Sequence, residues 1–361
     1  MKYRILKPIT AILLFICFFS LSIFLIHAVQ QAKASSENPV IVVPGFLGSA
    51  MKSDSNTIQL PILSIKKPTP QNDLVMYDTD LGPTGLNSLV NDLNKQGIQA
   101  YACPYDWRLT IEEIANQYLK PKIEQVIKET GKKKVIIVAH SMGGLVSRYY
   151  IQNIEAQKVY ALYMLGTPNE GAPNIYPVCE LGLESSDDYM NGVFNLFTYS
   201  LSRDLFSFMS PKDRVTYLQK HLPALRQMNS TNPKLIKNTT ANEHYNPVNN
   251  AFLVTLNNKK YASYYKPISA PKQKKGVYTA VFCSNSIKST ISGYTTSNIT
   301  PSQIDAVMGK GDDTVPVDSA AGSNIFPKNW TKYEGDYGPH VSLAKNKALV
   351  KELLILIRKS Y

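Results

Sequence analysis

A chain of 361 residues, 44% hydrophobic and 18% charged, has the composition of an ordinary globular protein with a large core, which excludes a disordered chain. Its 39 Lys and Arg outnumber 27 Asp and Glu, for a formal charge of +12, yet the lysines are spread out. Short runs such as Lys132-Lys133-Lys134 and Lys272-Gln273-Lys274-Lys275 read as solvated turns without the aromatic interleaving of a nucleic-acid surface.

In chain order, Lys2, Arg4 and Lys7 precede an uncharged apolar run from about Ile9 to Val29, followed by Ala32-Lys33-Ala34. That is the layout of a signal peptide cleaved after Ala34. The run is also long enough to cross a bilayer, so an uncleaved anchor is the alternative. Either way the remainder is expected outside the cytoplasm. Residues 1–34 carry four positive charges and no acid, which leaves +8 on the rest. A basic secreted chain suits either attraction to an anionic membrane or other anionic surface, or plain solubility. Cys17 falls in this segment, and the remaining Cys103, Cys179 and Cys283 allow at most one bridge. No Cys/His cluster has zinc spacing, and no metal or cofactor is expected.

Pro39 to Val43 reads as a short strand that breaks at Pro44-Gly45-Phe46-Leu47-Gly48-Ser49. Leu86, Leu89, Val90 and Leu93 have helical spacing and stop at Gly97, and Ile98 to Cys103 is a second strand. Thr110-x-x-Glu113 is a capping box for a helix running to about Thr130, with Pro121 as a kink and Gly131 as the stop. Then comes the most informative stretch, Val135-Ile136-Ile137-Val138-Ala139-His140-Ser141-Met142-Gly143-Gly144. A β-branched run of this kind suits a strand buried on both faces, and Leu145, Val146, Tyr149 and Tyr150 suit one face of a following helix. Ser141 between them has the setting of a nucleophile on a tight strand-to-helix turn, where crowding demands small residues two before and two after, here Ala139 and Gly143. Val159 to Leu165 is another strand, ending at Gly166-Thr167-Pro168.

Alternating strand and helix imply an α/β fold with a mostly parallel sheet, helices on both faces, and an active site at the carboxyl ends of the strands. From about Asn169 to Lys275 the alternation is lost, which reads as an inserted cap or lid. The domain organisation expected is thus a signal segment 1–34, a first core part 35–168, a cap insertion 169–275 and a second core part 276–361. Within the cap, Met190 to Met209 is unusually greasy, as either a hinged lid over a lipid pocket or the cap's own core. The sheet resumes at Val277 to Cys283, and a helix from Ser342 to Lys359 presents Leu349, Leu353, Leu354 and Ile357.

Elimination among five histidines finds the base. His27 lies in the N-terminal segment, His140 adjoins the nucleophile with its side chain turned away, and His221 and His244 fall in the cap. His340, in a loop before the last helix, sits where a Ser, Asp, His chain order requires it. The acid should come from Gly311-Asp312-Asp313-Thr314-Val315-Pro316, with Asp312 favoured over Asp313 by comparison with the Asp-Gly-x-Val pattern of many lipases. An oxyanion would be met by the Met142 amide at a helix N-terminus and by the Phe46 amide beside Gly45.

Five signatures in order resemble the lecithin:cholesterol acyltransferase and lysosomal phospholipase A2 family of α/β-hydrolases: Val43-Pro44-Gly45-x-x-Gly48, Tyr105-Asp106-Trp107-Arg108, His140-Ser141-Met142-Gly143-Gly144, Gly311-Asp312-Asp313-Thr314-Val315, and His340 before the last helix. The resemblance implies acyl-ester chemistry on lipids with Ser141, Asp312 and His340 as triad. It puts Trp107 near the active-site mouth as a substrate-binding residue, with Asp106 and Arg108 holding that loop. The expectation is a secreted serine lipase, phospholipase or acyltransferase acting on a lipid or ester substrate. Its rivals are an esterase or depolymerase on small or polymeric esters, and a non-catalytic cell-surface binding protein on a hydrolase scaffold.

Overall fold

The computed structural model describes residues 38–51, 68–76, 84–183, 209–297 and 304–359. The N-terminal segment and all but the last residue of the greasy stretch 190–209 lie outside them. Among the described residues no helix is long and apolar enough to cross a membrane.

The central sheet is wholly parallel, in the order β13-β10-β6-β5-β1-β4. Its strands are β1 (Val40–Val43), β4 (Ala100–Ala102), β5 (Val135–His140), β6 (Val159–Leu165), β10 (Val277–Ser284) and β13 (Thr331–Gly335). A further strand, β9 (Tyr265–Pro267), pairs with the first three residues of β10, on which β13 then takes over from Ala280. Successive side chains of a strand point to opposite faces. Ile41, Val43, Ile137 and Ala139 therefore join one core, while Val40, Val42, Ile136 and Val138 join the other. The first is covered by helices between Ile111 and Thr130 and by the helix Met142–Tyr150, the second by the helices Leu86–Lys95 and Lys347–Lys359. Burial on both faces is why β1 and β5 hold almost no polar residue, each large aliphatic contributing about 1.5–3 kcal/mol.

Local signals act largely as the sequence predicts. Thr110 and Glu113 form the reciprocal capping box, and Gly131 ends its helical run in the left-handed region at φ 68°. Pro121, expected as a kink, is absorbed differently: a π-turn at Ala115–Leu119 widens the helix just before the segment Lys120–Thr130, which the proline then opens. The last helix starts at Lys347 rather than Ser342, because the Asn346 side chain accepts from the amides of Ala348 and Leu349 and so caps it there. Its buried face is Leu349, Leu353, Leu356 and Ile357, with Leu354 only partly covered.

The region beyond β6 departs from the expected boundaries. Short strands β7 (Ile236–Asn238) and β8 (Glu243–Tyr245) join β11 (Ile287–Thr296) and β12 (Asp305–Gly311) in a second sheet of order β12-β11-β7-β8. Strands β11 and β12, expected in the second core part, thus extend a sheet begun in the cap, whereas β9, expected in the cap, belongs to the central sheet. A third pair, β2 (Ser49–Met51) with β3 (Leu74–Met76), follows the first strand.

Candidate active site

Ser141 directly follows β5 and precedes the helix Met142–Tyr150, with φ 53° and ψ −127°, a conformation L-residues adopt at a cost of about 1–3 kcal/mol. The crowding that enforces small neighbours is explicit. A Cβ on Gly143 would fall 2.4 Å from the Pro44 carbonyl oxygen and 2.6 Å from that of Val43. One on Gly45 would fall 2.7 Å from the Ser141 Cβ, and one on Gly144 2.0 Å from the Thr167 Oγ1. The loop after β1, the Ser141 turn and the Thr167 side chain are thus packed together with no room for a further carbon.

His340 comes from the loop after β13, and Asp312 from the turn that ends β12, so the second sheet delivers the acid to the carboxyl end of the first. His340 Nε2 lies 2.9 Å from Ser141 Oγ and its Nδ1 2.8 Å from Asp312 Oδ2. With Nδ1–H donating to the carboxylate, the Nε2 lone pair faces the serine hydroxyl. All three groups are buried: Ser141 is 8% exposed, His340 2% and Asp312 1%. Asp312 Oδ1 accepts from the amides of Thr314 and Val315 at 3.1 and 2.6 Å, and its carbonyl accepts from the His340 amide at 2.6 Å. One residue therefore fixes both ring and backbone of the histidine. Gly166, with φ 58°, makes room for the pair, since a Cβ there would lie 2.7 Å from Asp312 Oδ2.

The choice between the paired acids, open in the sequence, is separated by geometry. Asp313 sits at φ 79°, donates its amide to Thr290 Oγ1 and accepts from the Thr314 hydroxyl at 2.8 Å, holding the turn while Asp312 faces the imidazole. His221 stacks on Tyr217, and His244 is exposed on β8.

Met142 opens its helix, so its amide has no carbonyl partner four residues earlier within that helix. Phe46 follows the glycine packed on Ser141 and is 6% exposed. Trp107, expected near the mouth, is only 2% exposed. Its indole N–H donates to the Ser49 carbonyl at 3.1 Å, and its ring meets that of Phe46 edge-on with centroids 5.0 Å apart. It braces the loop after β1. The rest of its block works likewise. The Tyr105 hydroxyl donates to the Pro44 carbonyl, and Arg108 forks onto both oxygens of buried Asp106, which also accepts from the Thr69 amide at 3.0 Å.

Two positions escaped sequence reasoning. His140, expected only to point its side chain away from that of Ser141, has its ring centroid 4.8 Å from that of His340, and its Nε2 donates to the His340 carbonyl at 2.9 Å. Burial, then the neighbouring His340, lower its pKa to about 3, so it stays neutral and grips the backbone of the neighbouring imidazole. Arg148, fully buried on the nucleophile helix, donates to Asn169, to the Leu256 carbonyl and to Asn257, and lies over the rings of Phe326 and Trp330. It ties that helix to the segment expected as cap. The three described cysteines are free and buried, and burial pushes the Cys103 thiol up to about 12, which leaves it unreactive.

The parallel sheet, with the tight Ser141 turn at its carboxyl end and His340 and Asp312 gathered there, has the architecture of an α/β-hydrolase fold. A chain of the Tle4–Tli4 complex shares the architecture, with a TM-score of 0.56 at 12% identity over 90% of this chain and 98% of that one. The mature lipase BlEst2 of Bacillus licheniformis aligns with a TM-score of 0.45 at 14% identity, covering 89% of this chain and 92% of that one. Residues 80–194 match the family of lecithin:cholesterol acyltransferase, the family that the ordered motifs resemble. The uncharacterized protein YJR098C of Saccharomyces cerevisiae is 28% identical over 209 residues, 51% of this chain. The chain thus spans about 30% of that relative's length.

Proposed function

We propose that this chain is a lipolytic serine hydrolase or acyltransferase working outside the cytoplasm, with Ser141 as nucleophile, His340 as base and Asp312 as the residue that orients it. The hydrogen-bonded chain from Ser141 Oγ through His340 to Asp312, at 2.9 and 2.8 Å, supports this reading above all. The match to the acyltransferase family over residues 80–194 supports lipid esters as the substrate class. Ser141 Oγ attacks the ester carbonyl while His340 Nε2 takes its proton, and the tetrahedral oxyanion is met by the amides of Met142 and Phe46. His340 then returns the proton to the departing alcohol, leaving an acyl-Ser141. Water, or a second alcohol in a transferase, attacks that ester and regenerates the enzyme. Asp312 keeps the imidazole in the required tautomer and stabilises its positive charge, and His140 and Gly166 keep the pair in place.

A fluorophosphonate probe should label the purified protein, and a panel of esters graded in chain length should show turnover rising with acyl length, with lipid alcohols tested as acceptors. Labelling without turnover of any lipid ester, beside rapid turnover of short soluble esters, would replace the lipid reading by a small-ester esterase.

A further inference from the structure

The end of the central sheet opposite Ser141 holds a cavity of about 680 Å³ whose lining includes Lys134, Lys266, Lys272, Lys274 and Lys275. Its place follows from chain order. Lys134 immediately precedes β5, Val159 opens β6 and Val277 opens β10, whereas Ser141 comes directly after β5. A strand of six residues is about 20 Å long, so cavity and nucleophile are separated by roughly that distance. No aspartate or glutamate is among the lining residues. Glu155, next to the lining residue Ala156, is already engaged by Lys158 at 2.8 Å, as is Glu124 at 3.6 Å.

Lys266 distinguishes this cavity from a patch of surface lysines. It is 4% exposed, yet its ammonium donates to the Lys274 carbonyl at 2.6 Å and lies 3.7 Å from the Tyr278 ring centroid, with no ion pair among the described residues. Burial, and next to it the neighbouring Lys274, hold its pKa below the ordinary lysine value. The loop that presents Lys274 has a defined geometry. Two successive turns, Ala270 N–H to the Pro267 carbonyl and Lys274 N–H to the Pro271 carbonyl, lead to Gly276 at φ 111°, a conformation that glycine takes without strain. The result is a concave site of a size that holds small ligands, with no acid and five lysines among its lining residues, one of them buried and without an ion pair among the described residues.

We propose that this cavity is an anion site, separate from the ester-cleaving centre, that takes a phosphate-bearing ligand with room for more than one phosphate. Phosphate fits the donor set, because lysines act as point charges and no arginine fork is present among the lining residues to grip a planar carboxylate in bidentate fashion. The proposal does not depend on the reaction assigned to Ser141.

Inorganic tripolyphosphate, titrated calorimetrically into the purified protein, should bind saturably at one site. The triple variant Lys134→Gln, Lys272→Gln, Lys275→Gln should weaken that binding by about tenfold or more. The control Lys95→Gln, Lys212→Gln, Lys351→Gln, which removes the same charge elsewhere, should weaken it by no more than about twofold. All three proteins should melt alike and turn over a soluble ester equally. Co-sedimentation with phosphatidylglycerol vesicles, against phosphatidylcholine vesicles, separates the two sources of phosphate. Loss confined to the cavity variant and competed by tripolyphosphate identifies a lipid headgroup, whereas equal vesicle binding by both variants identifies a free phosphorylated solute. Absence of saturable tripolyphosphate binding, several equivalent sites, or equal losses in the two triple variants would overturn the proposal.

Discussion

Asp312→Asn perturbs one atom in a setting where the structure dictates its outcome. Asp312 Oδ1 accepts from two backbone amides, Thr314 at 3.1 Å and Val315 at 2.6 Å, while Oδ2 faces His340 Nδ1 at 2.8 Å. In the variant the amide oxygen must stay with the two donors, since the reverse placement would oppose N–H to N–H twice. The NH2 group is then forced onto His340 Nδ1, which becomes an acceptor and moves the ring proton to Nε2, facing Ser141. The base is thereby occupied without a change in packing. In the serine-protease triad the same tautomer error costs about 10⁴-fold in turnover, or about 5.5 kcal/mol of transition-state stabilisation. Steady-state kinetics on a soluble ester should therefore show kcat for Asp312→Asn lower by about that factor with an unchanged melting temperature. Asp313→Asn should lose at most about tenfold, because asparagine tolerates the left-handed conformation at φ 79°. A crippled Asp313→Asn beside a healthy Asp312→Asn would refute the reasoning.

Gly166→Ala should abolish most ester turnover and lower the melting temperature, since the new Cβ would meet Leu343 at 2.6 Å and Asp312 Oδ2 at 2.7 Å on a left-handed backbone; wild-type kinetics would show that the pair yields freely. Arg148→Met should lower the urea midpoint, because it strips donors from Asn169, the Leu256 carbonyl and Asn257 at about 1–3 kcal/mol per buried group left unsatisfied; an unchanged midpoint would mean that relief of the buried charge offsets them. His140 has a folded pKa lowered to about 3 from an ordinary 6.5, so below pH 6.5 the unfolded chain binds a proton that the folded one refuses, and stability falls with falling pH until about pH 3. His140→Gln should remove that dependence, making the stability slope shallower by up to ~1.4 kcal/mol per pH unit in denaturant titrations, and parallel slopes would contradict it.

Much of the site was legible in the sequence because crowding leaves a residue-type signature. The strand Val135–His140, the spacing Ala139-x-Ser141-x-Gly143 and the chain order to His340 all reflect contacts that admit few residues. Crowding did not separate Asp312 from Asp313, and Asp312 was favoured only by comparison with a lipase pattern, since what divides them is which carboxylate the turn aims at His340. The contacts of Trp107 and His140 were not legible for a related reason. A residue type says what a side chain can do, whereas burial against Phe46 or under His340 decides what it does. The second sheet was hidden because β7 and β8 are three residues each, and β7, which pairs locally with β8, finds its other partner more than 40 residues away in β11, beyond the reach of local periodicity. Arg148 carries no local signal of its role, because the partners that bury it, Asn169, residues 256–257, Phe326 and Trp330, come from distant parts of the chain.

The central claim is that Ser141 carries the acyl group, and the most direct test is peptide-level mass spectrometry after brief exposure of the protein to a fluorophosphonate probe. The account predicts a single stoichiometric adduct on Ser141, absent in Ser141→Ala and strongly slowed in His340→Ala. An adduct on another residue, or equal labelling rates in wild type and His340→Ala, would contradict it.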